Sequence, residues 1–248
     1  MIHRRFDKVA DSIYPDGKDR SGGIKERLKS VHAQIREAAL RCNRSPEEIT
    51  LIAVSKKQSA EAIIEAIDNG VETLGENYIQ EAVDKIEQIT PKAIWHFIGH
   101  LQSNKAKVAV KYFDLIHTVD TLKLAQEINR QAEKSGKIQK ILIQVNISQE
   151  ETKSGAEAED AIELAEALSN LKHLSLRGVM GMPPFFDDPE GARPYFRKLA
   201  QIKDAIEREN ISGISMEHLS MGMSGDFEVA IEEGATMVRI GTAIFGSR

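Results

Sequence analysis

Ile49-Thr50-Leu51-Ile52-Ala53-Val54-Ser55-Lys56 is a run of branched and small apolar residues closed by two polar ones, and it reads as a β-strand. Directly after it Ser59 supplies a helix N-cap. Ile63, Ile64 and Ile67 then share one helical face, and Gly70 suits the exit. The unit is a strand followed by a helix, and the rest of the chain repeats it.

The same reading predicts strands over residues 71–74, 94–98, 114–119, 140–147, 175–180, 216–220 and 236–240, with helices over 78–88, 103–111, 121–135, 156–169, 189–209 and 224–233. That makes eight strands, each but the last followed by a helix. Eight parallel βα repeats close most naturally as a single (β/α)8 TIM barrel, and 248 residues match the ~250 such a barrel needs. Upstream, Ile24, Leu28, Val31 and Ile35 recur at helical spacing and predict an extra N-terminal helix running to about Arg41. The barrel domain is therefore placed over residues 23–248. Residues 1–22, where charges mix with Pro15, Gly17 and Gly22, are read as a flexible extension. An open doubly wound sheet is the rival fold. It would carry Gly-x-Gly-x-x-Gly in the first βα loop, whereas Lys56-Lys57-Gln58-Ser59 contains no glycine.

A net charge of −5 provides no global attraction for nucleic acid. The single cysteine, Cys42, has no partner for an internal disulfide and reads as structural. Residues 1–20 lack the apolar core of a secretion signal, and no run of ~18 apolar residues exists to span a membrane, so a cytoplasmic protein is expected. No His or Cys cluster has the spacing of metal ligands, and no metal site is expected.

In a barrel the chemistry gathers at the C-terminal ends of the strands. Lys56 ends the first and shares the parity of Ile52 and Val54, which suit the packed interior; Lys57 shares that of Leu51 and Ala53. A lysine losing hydration in the mouth retains more neutral amine to attack an aldehyde, although a strand-end lysine also commonly snorkels to solvent. After strands seven and eight, Ser220, Ser224 and Thr242 offer hydroxyls, Gly241 lets backbone amides approach, and a helix beginning at Ser224 would add a positive dipole end. These features favour an anion site, with an N-cap and a turn as the plainer readings. Arg239 shares the parity of Met237 and needs a partner inside the barrel, either a ring nitrogen or an internal carboxylate. Asn77 and His96 either line a ligand or form polar packing, and the charged loop after Asn146 reads as solvated.

Ala53-Val54-Ser55-Lys56, Gly75-Glu76-Asn77, His96-Phe97-Ile98-Gly99-His100-Leu101-Gln102-Ser103-Asn104-Lys105, Ser220-Met221-Gly222-Met223-Ser224 and the run Val238 through Gly246 together resemble the YggS-type pyridoxal-phosphate homeostasis proteins. The resemblance runs from about Ile24 onward. It implies a barrel similar to the N-terminal domain of alanine racemase, with pyridoxal 5′-phosphate held as a Schiff base on Lys56. It also implies phosphate contacts from Ser220, Ser224, Gly241 and Thr242, Arg239 facing the pyridine nitrogen, and Asn77 and Met221 near the ring, whose edge His96 would line. The implied function is intracellular vitamin B6 homeostasis by a monomer that passes the cofactor to apo-enzymes, with indirect effects on amino-acid and keto-acid pools. Alanine racemase completes its site with a tyrosine base from a second domain, which this chain lacks after Arg248. Robust racemase turnover is therefore not expected; a weak amino-acid racemase or lyase is the alternative. A Schiff-base aldolase acting on a phosphorylated sugar is a more distant one.

Overall fold

The computed structural model describes residues 22–90, 92–148 and 154–246. Eight strands, β1 Thr50–Val54, β2 Thr73–Glu76, β3 Ile94–Phe97, β4 Leu115–Val119, β5 Gln139–Val145, β6 Leu174–Gly181, β7 His218–Ser220 and β8 Met237–Ile240, follow one another in chain order. All pair in parallel with their neighbours, and β8 returns to β1 with Ala53 opposite Ile240, so the sheet closes. The fold is a (β/α)8 barrel.

The α-helices are α1 Ile24–Arg41, α2 Ala60–Asp68, α3 Ile79–Gln88, α4 Ala106–Tyr112, α5 Leu122–Lys134, α6 Ala161–Ser169, α7 Arg193–Arg208, α8 Phe227–Glu232 and α9 Thr242–Phe245, with short 3-10 turns at Pro46–Glu48, Ser103–Lys105 and Pro189–Ala192. Ser59 and Thr121 cap α2 and α5 with their side-chain oxygens, which explains why those two starts were legible in the sequence. Two apolar layers result from the alternation along each strand. Ile52, Leu115, Leu142, Met180 and Met237 fill the barrel interior, while Ala53, Leu74, Phe97 and Val238 face the helices.

Several elements depart from the sequence expectation. β2 begins at Thr73, because the amide of Val71 is used by Ala66 O in the exit from α2. α6 begins at Ala161 rather than 156, since Ala156 bridges to Val145 and belongs to the loop. A helix does follow β8, but it is the four-residue α9. The eighth place in the helical ring is filled instead by α1, which packs against α2, α8 and α9 and whose Arg27 Nε donates to Ile244 O at 2.6 Å. The N-terminal helix is thus part of the barrel's outer layer. The flexible extension expected over residues 1–22 lies, except for Gly22, outside the described residues.

Candidate functional site at the barrel mouth

The chain leaves β1 through a tight turn. Gln58 N donates to Ser55 O at 3.0 Å, which places Lys56 and Lys57 at the two central positions, with Lys57 at φ +61°. Ile52 lies in the interior cluster and Ala53 outside it, so the parity along β1 is the one that favoured Lys56 as the inward lysine. Lys56 itself is half-buried at the strand's C-terminal end.

Because β8 pairs with β1, the loop after β8 flanks that turn. A Cβ at Gly241 would meet Val54 Cβ and O at 3.4 Å, which places this loop in contact with the end of β1. Ser224 completes the corner: its Oγ accepts from Gly241 N at 3.2 Å and Ala243 N at 3.4 Å. Two amides at the start of α9 therefore converge on one oxygen. The expected helix at Ser224 is corrected here. Asp226 takes the amide of Met223 at 2.6 Å, and α8 starts only at Phe227, so Ser224 sits in the preceding turn. Thr242 opens α9 and is exposed, whereas Met221 is fully buried and ties to β8 through its amide.

Below the mouth runs a buried polar chain. Arg239 NH1 donates to Ser220 Oγ at 2.7 Å, and its NH2 donates to Gly181 O at 3.0 Å. Ser220 Oγ lies 3.0 Å from His117 Nδ1, and His117 Nε2 lies 3.1 Å from His96 Nδ1. Each ring carries one proton in such a chain, which can run in either direction. Burial, with help from nearby cations, pushes His96 down to about 3 and moves His117 the same way, so both imidazoles are neutral near pH 7. Burial also brings Arg239 down to about 10, which leaves it a cation there. Among the described residues its hydrogen bonds go to a hydroxyl and a carbonyl, while the Asp226 carboxylate stabilises the cation through space.

The mouth holds a cavity of about 500 Å³ at the ends of β2 to β7, lined by Asn77, Gly99, His100, Thr118, Asn146, Phe185 and Met223 among others. Asn77 Oδ1 is buried there with no hydrogen-bond partner among the described residues. Gly99 is obligatory in the wall, because a Cβ would fall 2.1 Å from Asn77 O. The candidate residues thus occupy three places: Lys56, Ser224, Gly241 and Thr242 at one corner, Asn77 after the neighbouring strand β2, and His96, Ser220 and Arg239 beneath.

The model of the alanine racemase N-terminal domain matches residues 27–248. A pyridoxal phosphate homeostasis protein of Escherichia coli K12 is 46% identical over 229 residues, covering 91% of this chain and 97% of that protein. Another, from Vibrio alginolyticus, is 44% identical over 230 residues with the same coverage. The chain belongs to the pyridoxal phosphate homeostasis protein family. PipY of Synechococcus elongatus, solved with pyridoxal phosphate bound, aligns with this family member at a TM-score of 0.80 and 35% identity, over 90% of this chain and all of PipY. Alanine racemase of Clostridium difficile aligns at 0.69 with 16% identity over 57% of its length, a likeness of fold alone.

Within this homeostasis-family barrel the sequence reading missed His117, the link between His96 and Ser220. Its signal was available, since His117 shares the parity of inward Leu115 on β4. Glu76 and Lys85, buried together behind β1 and β2, were missed as well. They sit on a strand and a helix with no shared spacing, and only the folded chain brings them into contact.

Proposed function

We propose that this protein binds pyridoxal 5′-phosphate, holds it on Lys56 as a Schiff base, and serves in the cytoplasm as a monomeric store that passes the cofactor to apo-enzymes. The observation that carries the reading is the pairing of β8 with β1, which sets a half-buried lysine beside two amides already converging on one oxygen. A phosphate oxygen requires the same convergence.

The residues present fit the group. Ser224 with the amides of Gly241 and Ala243, and the Thr242 hydroxyl, would hold the phosphate. The orphaned Asn77 oxygen would accept a hydrogen bond from a hydroxyl on the ring, and Met221 would back the ring from beneath. Arg239, a permanent donor near neutrality, would face the ring nitrogen and leave it unprotonated, with Ser220 fixing the guanidinium. When bound, the cofactor supplies a reactive aldehyde and an electron sink; an unprotonated ring nitrogen weakens that sink and suits storage better than carbanion chemistry. His96 and His117 are neutral and engaged with one another inside the barrel, so neither offers a free base to the mouth.

One observation favours a second reading, weak amino-acid racemase or lyase activity: His100 lines the open side of the cavity, where a proton could be exchanged with solvent. The test uses the loaded protein. Mixed with a cofactor-free aminotransferase it should restore that enzyme's activity, and incubated with L- and D-amino acids it should yield little product by chiral chromatography. Failure to restore activity, or sustained turnover, would overturn the storage reading.

A further inference from the structure

Behind Lys56 the barrel wall carries an ion cluster for which the cofactor contacts have no use. Ser55 and Glu76 face outward from β1 and β2 and are fully buried, and Lys85 reaches them from α3. Lys85 Nζ donates to Glu76 Oε1 at 2.7 Å, to Glu81 Oε1 at 2.6 Å and to the Ser55 carbonyl at 2.6 Å. The Ser55 hydroxyl donates to the same Glu76 oxygen at 2.7 Å. Burying such ions rarely adds stability over an apolar packing, so what the cluster holds is the informative question.

It holds the two peptide planes of Lys56. The carbonyl that Lys85 grips belongs to the peptide joining Ser55 to Lys56. The amide that Glu81 Oε1 accepts from is that of Lys57, in the peptide joining Lys56 to Lys57. With both planes pinned, the backbone torsions of Lys56 are set, and with them the direction of its side chain. The turn needs the restraint. Lys57 at φ +61° occupies a region that disfavours residues bearing a Cβ by about 1–2 kcal/mol, at the turn position ordinarily given to glycine or asparagine.

We infer that Glu81, braced by Lys85, is a positioning residue that aims the Lys56 amine at the incoming aldehyde; this rests on the reading that Lys56 carries pyridoxal phosphate. The nitrogen of the neutral amine bonds to the aldehyde carbon and gives up its two hydrogens to the aldehyde oxygen, which departs as water, so the rate of capture depends on how the amine is presented.

Stopped-flow absorbance of cofactor-free protein mixed with pyridoxal phosphate measures that rate. Glu81→Ala should slow capture about tenfold to a hundredfold, the usual effect of misplacing a reacting group by an ångström or less, while the borohydride-reduced adduct stays on Lys56. Glu81→Gln keeps an oxygen for the Lys57 amide and should recover most of the rate. The double variant Lys57→Gly with Glu81→Ala should recover part of it, because glycine takes the positive φ without the brace. Native capture by Glu81→Ala, or a double variant no faster than Glu81→Ala, would overturn the inference. An adduct absent from Lys56 in the native chain would sink it together with the cofactor reading.

Discussion

Replacing Ser220 with alanine removes one oxygen from the barrel interior, and the loss of stability should be far larger than a lost hydroxyl suggests. Ser220 Oγ receives Arg239 NH1 at 2.7 Å and meets His117 Nδ1 at 3.0 Å, with all three residues buried. Without it a guanidinium N–H and an imidazole nitrogen are both left unpaired. Each orphaned group costs about 1–3 kcal/mol, the charged one toward the upper end, so Ser220→Ala should lose about 3–5 kcal/mol. Unfolding entropy of about 2.1 cal/mol/K per residue gives about 0.5 kcal/mol per degree for this chain length, hence a melting midpoint lower by about 6–10 °C. Calorimetry on the cofactor-free protein measures it directly. Arg239→Met removes the charge together with its need for partners and should cost less than Ser220→Ala, because deleting a buried ion is cheaper than stranding it. A Ser220→Ala midpoint within about 2 °C of native, or a deeper fall in Arg239→Met, would refute the argument that this hydroxyl satisfies the buried cation.

Two further outcomes follow from the same geometry. His96 is held at about 3 against an ordinary 6.5, so its contribution to stability is complete above pH 6.5 and is lost as pH falls from there toward 3; His117 is shifted the same way. His96 should lose about 1.4 kcal/mol of stability per pH unit inside that window, and His117 adds to the loss in the same direction. Urea titrations should show His117→Gln with a visibly shallower pH slope than the native chain, and identical slopes would contradict the assignment. Ser224→Ala removes the oxygen on which the Gly241 and Ala243 amides converge. It should weaken pyridoxal phosphate about tenfold in a fluorescence titration, equivalent to about 1.4 kcal/mol, and leave pyridoxal unaffected. Equal weakening of both ligands would mean that the corner does not bind the phosphate.

The barrel was legible because its period-two and period-3.6 patterns alternate with few interruptions, and because Ser59 and Thr121 mark helix starts with real caps. Ends of elements were less so. Ala156 looks like the first residue of a helix by apolar spacing, yet its backbone is spent on Val145 and its neighbours. Ser224 has the right chemistry for an N-cap, but its oxygen is taken by the Gly241 and Ala243 amides, and the helix starts only after Asp226. Lys56 and the β8 corner stand out in sequence because strand ends and glycine-bearing loops are local features. The His96–His117–Ser220–Arg239 chain spans four strands, and the Ser55–Glu76–Lys85 cluster joins two strands to a helix. Contacts of that kind depend on barrel closure, and no local spacing announces them.

The central claim is a covalent bond between one lysine and an aldehyde. Incubation with pyridoxal phosphate, borohydride reduction and peptide mass spectrometry should find the phosphopyridoxyl group on Lys56, with the yellow colour and the adduct both gone in Lys56→Ala. Modification confined to Lys57 or other lysines, or an undiminished adduct in Lys56→Ala, would contradict the account.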